Sequence, residues 1–242
     1  MERRKADFVI AGFQKCGTTS LAWNLPLHPD IHCEEKELHL FDKRGKRGNM
    51  AKKIRFWEKR WGMLPHKRIG EKTPVYAHVL PTIKRMKLYW PDVKIILIMR
   101  DPVERVVSHY YYRSHNRKRF STNPSHQKYI SFERFTNVKN GPFDRGKYVN
   151  KIKNILKHYD EEQILFLVFE KFKKDPQNTY TRIFNFLDVE PKEIIHTTHG
   201  KTLRKHSHVI DPVSLKKVKR NYQPFNDQLF DLLGYEIKEW NQ

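Results

Sequence analysis

The sequence holds only two cysteines, Cys16 and Cys33, in 242 residues. Two cysteines cannot frame a disulfide scaffold in a chain of this length. No zinc-type ligand spacing occurs, and the 13 histidines are scattered. No apolar run approaches the roughly 18 residues of a membrane-spanning helix. The amino terminus, MERRKADFVI, is basic but enters an apolar run at once, so it reads as neither a signal peptide nor a transit peptide. Acidic residues are also in short supply, with 27 Asp and Glu against 48 Lys and Arg and a formal charge of +21. Such a balance favours anionic partners: nucleic acid, acidic polysaccharide, a membrane surface or a phosphorylated ligand. It does not choose among them, and part of the excess is accounted for by a solvated basic surface.

What is present is organised around residues Asp7 to Leu27. Phe8, Val9, Ile10 and Ala11 form a short continuous apolar run, the pattern of a strand buried on both faces. Gly12 and Gly17 bracket a loop containing Gln14, Lys15 and Cys16, and Thr18, Thr19 and Ser20 open a helix with Leu21, Ala22, Trp23 and Leu25 on its apolar side. Glycines let backbone N–H groups turn towards one point, and the helix amino end adds its positive dipole. Hydroxyls and a lysine complete a cradle for a phosphate. The loop departs from the nucleoside triphosphate pattern G-x-x-x-x-G-K-[ST]. Thr18 stands where that pattern needs lysine, and Lys15 lies inside the loop. Phosphate binding is expected; magnesium-dependent triphosphate hydrolysis is not. The plain alternative is an ordinary glycine-bearing strand-to-helix turn, with Cys16 as a packing residue.

Further along, the EEKELHLFD stretch (34–42) alternates, which suggests an extended segment with Glu37, His39 and Phe41 on one side. A carboxylate and an imidazole two residues apart can then face one cleft as an acid/base pair, or form a mere surface pair. Residues 43–48 read as a basic loop and Ala51 to Trp61 as a helix. Lys72, in EKTPVY, falls directly after a short strand, because the residue before Pro74 is pushed to extended geometry. Val79 to Trp90 is a helix. Val93 to Met99 is the most strand-like run and is expected at the sheet centre. It stops at Arg100, which is followed by Asp101 as N-cap, Pro102 at the first helical position and Glu104 in a capping-box-like place. Arg100 at a strand's carboxyl end, with Ser108 two turns into the following helix, can hold a second phosphate; otherwise Arg100 pairs with Asp101 or Glu104.

Residues 116–146 read as a long polar loop over the active face. A helix over 147–159, a strand over 163–169 and a helix starting at Asp175-Pro176 follow. The basic stretch 196–212 contains Lys201, Arg204, Lys205 and His206, and two helices, Pro212 to Arg220 and Pro224 to Leu233, end at Gly234. The expected architecture is α/β: one domain over residues 1–242, with a central parallel sheet of four or five strands flanked by helices in a P-loop-like arrangement.

Five stretches in order, FVIAGFQKCGTTSL, KELHLFD, EKTPVY, IILIMRDPVERVVSHY and EQILFLVFEKFKKDP, resemble the PAPS-dependent sulfotransferases, in particular their heparan sulfate (glycosaminoglycan) branch. The resemblance runs from about Phe8 to Gly234. It implies the donor 3′-phosphoadenosine-5′-phosphosulfate (PAPS), no required metal, and transfer to a hydroxyl or an amine of an acidic or neutral glycan acceptor. On it, Gln14, Lys15, Cys16, Gly17, Thr18, Thr19 and Ser20 form the 5′-phosphosulfate loop, with Lys15 reaching the leaving phosphate. Arg100 and Ser108 form the 3′-phosphate pair, Lys72 lies near the sulfuryl group, Glu37 matches the general base and His39 a nearby active-site histidine. Arg204 and Lys205 match a late basic loop, although Leu203-Arg204-Lys205 replaces the family's usual Lys-Gly-Arg order. The amino terminus reads as that of a cytoplasmic protein if Met1 is the native start, and a Golgi lumenal enzyme is expected if an anchor preceded it.

The chemistry of the residues agrees, since sulfuryl transfer needs a base for the acceptor proton and cations at the leaving oxygen. Glu37 can be that base, with His39 orienting it or serving instead. Three other readings compete. One is sulfation of a small alcohol by the same mechanism. Another is a nucleotide kinase, disfavoured by Thr18 and by the lack of a carboxylate cluster suited to magnesium. The third is a nucleic-acid- or heparin-binding module that uses charge alone, although no specific nucleic-acid partner is expected.

Overall fold

The structure is a computed structural model that describes residues 2–42, 47–115, 131–197 and 209–241. In chain order its elements are β1 (Phe8–Gly12), α1 (Thr18–Asn24), β2 (Ile31–Cys33), α2 (Arg47–Trp61), β3 (Arg68–Lys72), α3 (Leu80–Tyr89), β4 (Lys94–Met99), α4 (Pro102–His115), α5 (Phe132–Thr136), α6 (Tyr148–Leu156), β5 (Ile164–Val168), α7 (Phe169–Lys174), α8 (Pro176–Phe186) and α9 (Pro212–Leu233). They divide between two compact units, residues 1–99 with 151–200 and residues 100–150 with 201–242.

The first unit carries the sheet. Its five strands are all parallel, in the order β2-β3-β1-β4-β5. Every residue of β1 is buried, because a strand paired on both sides and covered on both faces must be apolar throughout. The centre therefore belongs to β1; β4, expected there from its apolar composition, lies one place over, between β1 and β5. From β1 the chain moves to β2 and β3 on one side, then returns to β4 on the other. In open α/β sheets that reversal marks the carboxyl ends where ligands bind. The core is a continuous apolar set that includes Ile10, Leu21, Ile69, Ile96, Leu97, Ile152 and Phe184.

The second unit is helical. Val106 and Tyr110 of α4, Phe132 and Phe135 of α5, and Val218 and Tyr222 of α9 share one buried cluster. Asp101 caps α4 as expected, its Oδ1 accepting the Glu104 N–H at 2.8 Å. Part of the expected long loop is helical: α5 begins at the Ser131 cap, whose hydroxyl oxygen accepts from Arg134 N–H at 3.3 Å. The two expected carboxyl-terminal helices are a single one, α9, with Pro224 inside it. Proline removes one helical hydrogen bond and crowds the preceding turn, a cost of about 3 kcal/mol. Here Val218, Tyr222 and Leu229 are buried on both sides of Pro224, so the two halves are held by one continuous apolar stripe. No described helix is long and apolar enough to cross a membrane.

Candidate active site

The candidate residues of the first unit gather at the carboxyl ends of β1, β2 and β3. The loop after β1 turns back sharply: Lys15 (φ 71°) and Gly17 (φ 89°) are both left-handed. At Gly17 a side chain is also excluded by space, because a Cβ would stand 2.8 Å from the Phe169 ring. α1 then starts with no side-chain cap and no acidic residue in its first turn. A helix amino end of this kind presents backbone N–H groups that favour an anion. Cys16 is fully buried, as its packing role requires, and Thr18 and Ser20 are buried too. Gln14 and Lys15 are half-buried and Thr19 is exposed.

Lys72 is the last residue of β3, paired in register with Ile10 of β1, and it is 5% exposed. It thus stands one strand away from the residues that lead into the glycine loop. Thr73 follows, its N–H donating to the Ile10 carbonyl at 3.2 Å.

Residues 34–42 leave β2 as irregular chain rather than as the extended segment that alternation suggested. His39 has φ 52°, a left-handed turn. The turn sends Phe41 away from Glu37 and His39 and into the core, edge-on to Tyr76 and Trp90. Glu37 and His39 still meet: His39 Nε2 lies 3.2 Å from Glu37 Oε2. The same turn brings in Asp42, whose Oδ2 lies 2.6 Å from His39 Nδ1. Both ring nitrogens therefore face carboxylates, an arrangement that an imidazolium satisfies with two N–H donors. The pKa of His39 is raised accordingly, first by the hydrogen bond to Glu37, against the opposing effect of burial, and then by Asp42. The Glu37 side chain is 37% exposed, so the pair opens to solvent on the Glu37 side, while Asp42 is 6% exposed and lies beneath.

Asp42, Glu71, Thr73 and Tyr76 were not singled out from the sequence. Thr73 Oγ1 donates to Glu71 Oε2 at 2.7 Å and accepts the His39 N–H at 3.4 Å. The Tyr76 hydroxyl oxygen accepts the Leu40 N–H at 2.7 Å. The available signal was adjacency, since Asp42 closes KELHLFD and Glu71 and Thr73 flank Lys72; the turn at His39 that makes use of it is not written in any spacing.

Arg100 and Ser108 belong to the second unit. Arg100 precedes α4 and pairs with Glu104 at 3.1 Å, while Tyr148 Oη donates to its carbonyl at 2.9 Å. Ser108 is buried on α4. Arg204 and Lys205 lie outside the described residues.

None of these groups lines either of two surface clefts. One, of about 430 Å³, is at the amino ends of the strands in the first unit. In it Arg4 pairs with Asp7 at 2.9 Å and Lys94 with Asp188 at 2.6 Å. The other, of about 240 Å³, lies in the second unit between α5 and α9, where Lys217 pairs with Glu133 at 2.9 Å.

A parallel sheet with a glycine loop after its central strand, and with Glu37, His39 and Lys72 on the neighbouring strand ends, fits one family by sequence as well. The family model described as sulfotransferase domain matches residues 5–228. The chain belongs to the sulfotransferase family. It is 26% identical, over 95% of its length, to the Homo sapiens protein named heparan sulfate glucosamine 3-O-sulfotransferase 3B1. It is likewise 26% identical, over 97% of its length, to the Mus musculus protein named heparan sulfate glucosamine 3-O-sulfotransferase 6. The chain spans 63% of the first of these relatives and 74% of the second. Among solved structures, a sulfotransferase from Alicyclobacillus acidocaldarius matches with a TM-score of 0.76 at 22% identity, covering 98% of this chain and 99% of that one. Mouse sulfotransferase SULT7A1, complexed with PAP, matches with a TM-score of 0.50 at 22% identity, covering 91% and 66%. Both structural likenesses bear on the fold.

Proposed function

We propose that this member of the sulfotransferase family transfers a sulfuryl group from PAPS to a hydroxyl of a glycosaminoglycan-like glycan, with Glu37 as the general base. The observation that carries this reading is the convergence, at one end of one sheet, of an acid/base pair, a buried lysine and an anion-suited loop with its own lysine. The names of the relatives and the charge of +21 support an acidic glycan as acceptor. The donor is supported by the mouse sulfotransferase complexed with PAP. The loop suits its 5′ end, since residues 15 and 17 are left-handed and the helix that follows starts with no side-chain cap and no acidic residue in its first turn.

In the proposed reaction the acceptor oxygen attacks sulfur in line, forming the new S–O bond. Glu37 takes the acceptor proton. The S–O bond to the donor's 5′-phosphate breaks, and its electron pair leaves with the bisphosphate. Lys15 and Lys72 stabilise the charge that grows on that oxygen. Arg100 and Ser108 hold the 3′-phosphate. His39 is assigned to orientation: with Asp42 on one nitrogen and Glu37 on the other, it is occupied as a donor, which favours Glu37 as the base.

Isothermal titration with 3′,5′-bisphosphoadenosine in the presence of a chelator, followed by transfer from labelled PAPS to heparan sulfate, tests the reading. Binding and transfer are expected. Magnesium-dependent ATP binding without bisphosphate binding would overturn it in favour of the kinase, and transfer to small alcohols alone would keep the donor and replace the acceptor.

Two further outcomes are expected. Arg100→Ala should weaken bisphosphate binding by about tenfold to a hundredfold, the worth of a charge-assisted hydrogen bond. Unchanged affinity in the same titration would move the 3′-phosphate site elsewhere. The second concerns pH. His39 has a raised pKa in the folded state, so the stability it contributes is fully present below the unfolded value of about 6.5 and is lost as pH rises through the folded value. Thermal melts between pH 6 and pH 9 should therefore show the wild type losing its advantage over His39→Asn on the alkaline side. A constant difference across that range would show that His39 is not held as an imidazolium.

A further inference from the structure

Glu71 is fully buried on β3, between Gly70 and Lys72 and opposite Val9 of β1. A carboxyl in such a place is costly unless it is used. Its Oε2 accepts from the Thr73 hydroxyl at 2.7 Å, and that hydroxyl accepts the His39 N–H at 3.4 Å. The Tyr76 hydroxyl, which accepts the Leu40 N–H at 2.7 Å, and the Leu38 amide both face the same carboxyl. Three successive amides, those of Leu38, His39 and Leu40, are thus gathered on one cluster built around Glu71. They are the amides of the left-handed turn at His39, a conformation that costs a non-glycine residue about 1–2 kcal/mol unless its surroundings hold it.

We propose that Glu71 is a positioning residue of the sulfuryl transfer: with Thr73 and Tyr76 it holds the 38–40 backbone in the turn that brings His39 between Glu37 and Asp42. The inference rests on the sulfotransferase reading above. Its reach differs from that of an ordinary buried hydrogen bond, because it links the end of β3, where Lys72 sits, to the backbone that carries the base. Burial, the largest influence, pushes the Glu71 carboxyl up to about 7, while Thr73, Tyr76, the Leu38 amide and the His39 charge pull it back. Cys33 of β2 also interacts with it, and burial and Glu71 both push the Cys33 thiol up. Oε1 of Glu71 is buried and makes no hydrogen bond of good geometry. Burial thus favours the neutral carboxyl and the surrounding donors favour the charged one, and the balance places its ionisation at about 7, beside the reaction.

The test compares Glu71→Leu with Glu71→Gln, which keeps an acceptor for Thr73 and stays neutral. The His39 imidazole titration, followed by NMR, needs no acceptor substrate. In Glu71→Leu its pKa should fall towards the ordinary value as the ring is released from Glu37 and Asp42, and in Glu71→Gln it should stay raised. With labelled PAPS and heparan sulfate, Glu71→Leu should lose about tenfold or more in kcat with bisphosphate affinity unchanged within about threefold, the signature of a group acting in the reaction rather than in donor binding. Glu71→Gln should recover most of that kcat at pH 6 and lack the inflection near pH 7. If Glu71→Leu does not fold, Thr73→Val and Thr73→Ser read the same link: the first should lower kcat and the His39 pKa, the second should preserve both. An unchanged His39 titration in Glu71→Leu or Thr73→Val, or a Glu71→Gln pH profile identical to that of the wild type, would overturn the inference. Absence of transfer by the wild type, with the His39 titration behaving as expected, would instead overturn the sulfotransferase reading and remove the catalytic half of the inference with it.

Discussion

Glu37→Gln is expected to lower turnover by about a hundredfold to ten-thousandfold, the usual worth of a positioned general base. Bisphosphate affinity should change little, because the Glu37 carboxylate is assigned to the acceptor proton and not to the donor. Glutamine keeps the length and one acceptor oxygen, so the turn at His39 has no steric reason to move. The substitution also removes the largest influence that raises the His39 pKa. The imidazole should therefore titrate at lower pH in Glu37→Gln, a shift that NMR reads without any acceptor. The two measurements separate the roles of the pair. Loss of turnover with a lowered His39 pKa is the expected result. Near-normal turnover with a lowered His39 pKa would transfer the base to His39, freed on its Nε2 side and still held by Asp42 on the other.

The second large effect is expected at Lys15. Removing a cation aimed at charge that develops in the transition state costs about a hundredfold to a thousandfold in kcat. Lys15 also sits at φ 71°, in the left-handed region where glycine carries no Cβ penalty. Lys15→Gly should thus lose turnover while its melting temperature holds or rises, since the local strain is relieved at the same time. This opposite movement of activity and stability is what strain stored at a functional loop predicts. A parallel loss of both would mean that the lysine side chain supports the loop itself. Full activity in Lys15→Gly would place the leaving-group cation at Lys72 alone.

The parts of the architecture that short-range pattern decides were legible. The apolar run Phe8 to Ala11, the β-branched run ending at Met99 and the run at Ile164 are all strands of one parallel sheet; the first two lie between neighbours and are buried almost throughout, where a strand has to be apolar at every position. The Asp101-Pro102 and Asp175-Pro176 helix starts were legible for the same local reason: a capping carboxylate and a proline act within a single turn, and both caps are formed. The pairing of Glu37 with His39 was readable from their spacing, although the geometry that joins them is a turn and not the extended chain that the alternation suggested.

The residues that complete the candidate site were not legible, and their absence has one cause. Asp42 reaches His39 only because the chain turns left-handed there, and the turn is held by Thr73 and Tyr76, which lie 34 and 36 residues further along the chain. Pairing between distant segments is likewise what put β1 at the sheet centre instead of β4, and burial on both sides of Pro224 is what kept α9 whole. Composition and local spacing thus determined the α/β class, the glycine loop with its displaced lysine and the Glu37–His39 pair. Only the packing of β3 against β1 and of the 38–40 turn against Glu71 decided which carboxylates surround His39, because left-handed backbone and buried charge persist only where partners far off in sequence hold them.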